Sequence, residues 1–277
     1  MLRNAFAYIT RKWPKSLLLF AIILLMGTLS LIGLSMKGAT QKASSESLGS
    51  ITNSFSMQIN RRTNPGTPRG AGNLRGEDIE KISQVEGITS SIKRINAIAD
   101  ILDHEIIETE ETLQNQSPER AKHFKNTLMV TGVNDSSKED KFVSGAYKLV
   151  QGEHLTDKDK NQILMHEDLA KKNGLKVGDK VRLKSNLYDA DNEKGANETV
   201  EVTIKGLFSG KNQAPLTYAQ ELYEDTLISD LDTAAKLYGN TVQTATYEDA
   251  TFFAKGDQDL DKLIEKIKAL DIPWNYY

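Results

Sequence analysis

QILMHEDLAKKNGLKVGDKVRL occupies residues 162–183. Gln162–Met165 is an apolar run of strand length, and Glu167–Lys172 is a short helix stopped by Asn173-Gly174. Val177-Gly178-Asp179 then turns the chain tightly into a second strand, Lys180–Leu183. Ser185–Asn197 is polar and reads as a hairpin tip. Val200–Phe208 (VEVTIKGLF) alternates apolar and polar and closes the hairpin. Downstream, Thr226–Ile228 is a strand, Leu231–Tyr238 a helix and Gly239 its stop. Ala250–Ala254 is a strand, Leu260–Leu270 a helix with Leu263, Ile264 and Ile267 inward, and a further strand is expected from Pro273. Upstream, Phe55, Met57 and Ile59 alternate with polar residues, and Glu77–Gln84 is a helix with Ile79 and Ile82 inward that Gly87 ends. Ile88–Leu102 and Thr127–Val133 are strands, separated by a polar excursion over 108–125. Strands alternate with helices but several join as hairpins, which is an α+β arrangement.

The amino terminus has a different character. Ser16–Met36 (SLLLFAIILLMGTLSLIGLSM) carries no charge. As a helix this stretch spans about 31 Å, the thickness of a bilayer's hydrocarbon core. It is too long for the apolar part of a cleaved signal, so a retained transmembrane helix is expected over 16–36. Arg3, Arg11, Lys12 and Lys15 precede it and no acid occurs before Glu46. That asymmetry places the amino terminus in the cytoplasm and the rest outside. Leu2, Phe6, Ile9 and Trp13 share one face, as in a helix over 1–15 lying in the interface, with Trp13 at the elbow; a plain basic flank is the alternative reading. Gly27, Ser30 and Gly33 recur at three-residue steps, a face on which another helix could pack closely, although glycine is common in isolated spans too. Residues 37–50 are polar and proline-free, and could continue the helix outward as a stalk.

Composition limits the chemistry. The 277 residues carry a net charge of −3, but four of the 35 basic residues lie in 1–15 with no acid, leaving −7 on the remainder. An acidic domain is a poor phosphate binder, so nucleic acid is set aside. There is no cysteine, hence no disulfide and no thiolate chemistry, a usage that fits an exported domain of a Gram-positive bacterium. The stretch 61–76 (RRTNPGTPRGAGNLRG) holds four arginines, four glycines and two of the six prolines. It reads as a mobile, solvated surface loop, with partner contact through Arg61, Arg62, Arg69 and Arg75 as the alternative. Its glycines match no phosphate-binding pattern. His166-Glu167-Asp168-Leu169-Ala170 starts like a zinc-protease helix, but Ala170 stands where the second histidine must share the metal. Asp157, Asp159, Asn161 and Asp168 fit a calcium loop in spacing, as do Asp189, Asp191 and Glu193 in part, yet Gln162 and Lys194 occupy the position that requires glycine. Both acidic stretches read as solvated turns. With no serine elbow and no cysteine, no catalytic, cofactor or metal residue emerges.

Two ordered sets of residues carry a resemblance. One is Ile163–Ala170 with Gly174, Val177-Gly178-Asp179, Val181, Val202, Ile204 and Gly206; the other is Leu227–Asp230 with Thr233, Ala234, Leu237 and Gly239. With the apolar span before them, they resemble the permease subunits of MacB/FtsX-like ABC transporters, and among these look closest to streptococcal Vex-type peptide exporters. The resemblance implies a two-lobed extracytoplasmic domain: a split ferredoxin-like lobe (51–150 with 245–277, lacking its last strands) and an inserted smaller mixed α/β lobe (151–244). Of the family's four membrane helices, one is present here.

It further implies a non-catalytic subunit in the cell membrane, without a cofactor of its own, that transmits ATP hydrolysis by a separate cytoplasmic ABC ATPase to the export of a peptide or drug-like cargo. Its partners would be that ATPase, a second permease copy or paralogue, an extracellular accessory protein and membrane lipid. Two other readings stay open: an FtsX-like regulator of a cell-wall hydrolase, and a single-span sensor or adhesion ectodomain.

Overall fold

The computed structural model describes residues 53–109, 117–211, 222–256 and 258–277, with the single positions 14, 24, 26 and 114. Arg3, Arg11, Lys12, Trp13, Lys15, Gly27, Ser30, Gly33 and the stalk 37–50 lie outside them. Of the expected span only Leu24 and Met26 are described, both helical and exposed. Among the described residues no helix is long and apolar enough to cross a membrane. The chain divides into the units Met1–Asn53 and Ser54–Tyr277, and the described strands belong to the second.

Strands β1 (Ser54–Met57), β2 (Leu74–Arg75), β3 (Ile88–Leu102), β4 (Thr127–Val133), β5 (Lys148–Gly152), β6 (Gln162–His166), β7 (Lys180–Ser185), β8 (Thr199–Ser209), β9 (Thr226–Asp230), β10 (Thr246–Tyr247) and β11 (Asp249–Ala254) alternate with helices. The helices are α1 (Gly76–Ser83), α2 (Pro118–His123), α3 (Asp140–Val143), α4 (Glu167–Lys172), α5 (Leu231–Lys236) and α6 (Leu260–Lys268). This is a mixed α+β domain.

Its organising element is β3, fifteen residues long and shared between two sheet regions. The first part pairs antiparallel with β11, which pairs in turn with β1; α1 buries Ile79 and Ile82, and α6 buries Leu263 and Ile267. The last part, Ala99–Leu102, pairs with β7. Since β7 also pairs with β8, the strands β3, β4, β9, β6, β8 and β7 close into a six-membered ring. Closure removes the free edges that an open sheet would expose. The ring takes β3 and β4 from before residue 150 and the other four strands from after it.

Ala97, Ala99 and Ile101 of β3, Val130 of β4, Ile163 and Met165 of β6, Val181 and Leu183 of β7, Val202 and Ile204 of β8 and Leu227 of β9 are buried in one core. The intervening Leu164 and Ile228 enter a second cluster with Val133, Tyr147, Leu155 and Phe208. Strands β6 and β9 are therefore covered on both faces, which explains why they read as continuous apolar runs rather than as alternation. They are also antiparallel neighbours, each followed at once by a helix whose cap is the strand's last side chain. Asp230 accepts from Thr233 N at 3.0 Å and, through its other oxygen, from Gln162 N at 3.0 Å, tying α5 to β6. Gly174 and Gly239 follow α4 and α5 with positive φ. These are left-handed stops, which glycine takes without strain.

Three expectations need correction. Residues 274–276 form a 3-10 turn, not a strand. Asn60 and Thr63 bond to the carbonyls of Tyr276 and Asn275, and the Tyr277 hydroxyl donates to Asp78 at 2.6 Å. The polar excursion contains α2, opened by Ser117 as N-cap and Pro118 in the first turn. Both are local helix-start signals that were readable. The short strands β2, β5 and β10 carry too little alternation to be recognised from sequence.

Candidate functional site

The polar elements of the chain converge where the loop 60–73 meets the tip of the β7–β8 hairpin. Internal bonds hold the tip. Asn186 Nδ2 donates to the His123 carbonyl at 2.8 Å and to Asp100 Oδ1 at 3.0 Å. Asn192 Nδ2 donates to the carbonyls of Asn186 and Ala196, and its Oδ1 accepts from Ala196 N. The loop is braced as well: Thr67 Oγ1 accepts from Ala71 N at 3.0 Å, and Asn64 Oδ1 from Gly66 N at 3.1 Å.

Between these two rigid turns Arg69 is clasped. Its Nε lies 2.9 Å from Asp189 Oδ1 and 3.0 Å from Asp191 Oδ2, and its Nη2 donates to the Tyr238 hydroxyl at 3.0 Å. The Tyr238 hydroxyl donates to Asp189 and accepts from Ile98 N at 2.9 Å, and Asp191 Oδ1 accepts from Arg69 N at 2.8 Å. Burial pushes the Asp189 carboxyl above its ordinary value, against the pull of the Tyr238 hydroxyl and of Arg69. Tyr238 is raised too, chiefly by burial. A polar cleft of about 140 Å³ adjoins the clasp, lined among others by Thr67, Asn96, Asp191, Asn240 and Glu248. Glu248 accepts from Gly72 N at 2.7 Å, and Lys194 donates to Asn240 at 2.6 Å.

The acidic hairpin tip is thus not a solvated turn: Asp189 and Asp191 are 1% and 4% exposed at the side chain. Asp159 is likewise held, by Lys205 at 2.8 Å, while Asp157 is exposed. The four arginines of the loop separate. Arg61 and Arg62 are exposed, and the guanidinium of Arg61 donates to the Gly70 carbonyl. Arg75 pairs with Asp78 at 2.8 Å and with Glu77 at 3.2 Å, and Arg69 is held within the domain. Among the described residues no group of three His, Cys, Asp or Glu side chains could hold a metal. The arrangement couples distant turns to one another and offers no nucleophile next to a base.

His166 is a structural side chain. It is buried, its Nδ1 accepts from Asp168 N at 3.2 Å as the cap of α4, and its Nε2 donates to the Gly210 carbonyl at 2.8 Å. His166→Ala should lower stability by about 1–3 kcal/mol, through a lost cap and an orphaned carbonyl. His166→Asn, which can still accept from the helix, should recover part of that loss in thermal unfolding; equal losses for the two variants would remove the capping account.

A closed ring of strands with two strand-to-helix units and a clasped polar loop defines a mixed α+β domain. Residues 16–270 match the MacB-like periplasmic core domain, and the chain belongs to that family. It is 23% identical over 304 residues to the uncharacterized ABC transporter permease YclI of Bacillus subtilis (strain 168), covering 100% of this chain and 61% of that protein. The chain therefore spans about three fifths of that relative's length. The periplasmic region of MacB from Actinobacillus actinomycetemcomitans aligns with a TM-score of 0.44 at 17% identity, over 79% of this chain and 82% of that one. The extracellular domain of the noncanonic ABC-type transporter YknZ from Gram-positive bacteria aligns with a TM-score of 0.39 at 13% identity, over 76% and 87%.

Proposed function

We propose that this chain supplies a membrane helix and the extracytoplasmic domain of an ABC transporter permease. In this reading a cytoplasmic ATPase hydrolyses ATP, a second permease copy or paralogue completes the pore-side assembly, and the domain handles a peptide or drug-like cargo outside the membrane, with or without an accessory protein. The match to the MacB-like family over residues 16–270, which takes in the apolar stretch 16–36, is the observation that carries the proposal. In this reading ATP binds the separate ATPase, and this chain's part is transmission, with residues 37–50 as the link between the membrane helix and the extracytoplasmic domain.

Transmission through a helix requires an unbroken helix. An interior proline costs about 3 kcal/mol or more and bends the axis. Ala43→Pro in the assembled transporter should abolish export while ATP hydrolysis and folding of the domain persist. The measurement is export beside ATPase rate in reconstituted vesicles. Normal export by this variant would reject a helical stalk as the coupling element.

A further inference from the structure

Asp225 stands at the foot of β9 with its carboxyl fully buried. Oδ1 accepts the Ile107 N–H at 2.6 Å, whereas Oδ2 is buried with no hydrogen-bond partner. Oε2 of the adjacent Glu224 is in the same condition. No ion pair among the described residues reaches either carboxyl. The charged groups that face Asp225 are Glu224 on its own segment, Glu108 on the segment 103–109, and Lys172 on α4. The Lys172 ammonium donates to the Ile106 carbonyl at 2.7 Å and lies 3.5 Å from Glu105, so its charge is shared with that segment. Asn173 fixes the same segment from α4, accepting from Glu105 N at 2.9 Å and donating to the Glu105 carbonyl at 2.8 Å. Residues 105–107 are therefore clamped on one side by Lys172 and Asn173 and on the other by a carboxyl that has no ion-pair partner among the described residues.

We propose that Asp225 is a protonation-controlled latch: as a neutral acid it lets the segment 103–109 close on α4 and β9, and the ionised form is satisfied only when that segment opens to water. A buried carboxylate with an unpaired oxygen and two acidic neighbours disfavours its own charge. In accord with this, burial pushes the Asp225 carboxyl up to about 8, reinforced by Glu224 and Glu108 and opposed by the Ile107 N–H and Lys172. The sign follows from linkage. The closed state binds the proton and the open state, with an ordinary carboxyl near 4, releases it. Opening becomes easier by up to about tenfold per pH unit between about pH 4 and about pH 8, and levels off above. The latch belongs to the folded domain and does not depend on the transport reading.

The test is hydrogen exchange of the full chain in detergent from pH 5 to 9, corrected for intrinsic exchange chemistry. Amides of 103–109 should open progressively up to about pH 8 and then level off, whereas Asp225→Asn should show a flat profile and Glu224→Gln should keep the slope. A flat wild-type profile, or a slope that survives Asp225→Asn and disappears in Glu224→Gln, overturns the latch. Should Asp225→Asn fail to fold, carboxyl resonances of 13C-aspartate in the wild-type chain decide: one should titrate near pH 8, and none titrating above pH 6 overturns it.

Discussion

Arg69→Ala should destabilise the domain by about 3–5 kcal/mol, the range for removing one partner of a buried charge cluster. The loss comes less from the missing attraction than from what stays behind. Asp189 and Asp191 remain in place almost without solvent, and the Tyr238 hydroxyl loses a donor. The effect depends on pH with a defined sign. Burial already holds Asp189 above its ordinary value, and without the guanidinium it is raised further. Where both states are protonated, below about pH 4, the variant loses little; as pH rises the unfolded state ionises and the folded state resists, so the deficit grows. Urea midpoints at pH 4.5 and 7.5 measure this. Arg61→Ala is the control, because Arg61 is exposed. A change at such a surface site costs about 0.5 kcal/mol or less. Equal effects at Arg69 and Arg61 would mean that the clasp does not stabilise the fold.

Gly132→Val should cost about 3 kcal/mol by forcing two elements apart. A Cβ at position 132 of β4 would lie 2.5 Å from the Cβ of Ala234 on α5 and 3.3 Å from the Asp230 carbonyl. Helix α5 rests on β3 and β4 through Thr233, Ala234 and Ala235, all buried, so it cannot tilt away without opening the core. Ala234→Gly removes the opposing methyl and by itself costs about 1 kcal/mol as a helix glycine. The double variant should be more stable than the sum of the two single losses, a coupling between touching residues that a thermal-denaturation cycle resolves. Additive losses would place the cost of Gly132→Val elsewhere, in strand distortion.

Both variants lie at joints between separate parts of the chain. Gly132 sets how closely α5 approaches the sheet, and Arg69 ties the loop 60–73 to the hairpin tip and to Tyr238 just beyond α5.

Local chemistry was enough to place most elements, and the reasons are local. Alternation in 200–208 marks a strand with one apolar face, and Gly174 and Gly239 mark helix ends because a left-handed residue is needed there. The short helix 167–172 and the strand 127–133 were legible to the residue, and the ordered motif set already carried the family. Pairing across distance was not legible. Arg69 and Asp191 are 122 positions apart, and Arg69 and Tyr238 are 169. Each had only its own polar neighbourhood as a clue, and a charged residue in a polar stretch reads as solvated until a partner is brought to it. The same holds for the ring: nothing in 88–102 says that one strand serves two sheet regions, because the junction at Ala99 exists only once β7 arrives from far downstream to pair with it. Sequence by itself determined the longer elements, two helix stops and the family, which depend on side-chain periodicity and backbone preference. The closed ring, the clasp at Arg69 and the unpaired carboxyl of Asp225 were decided by tertiary structure, since each is a property of groups that meet only after the chain has folded.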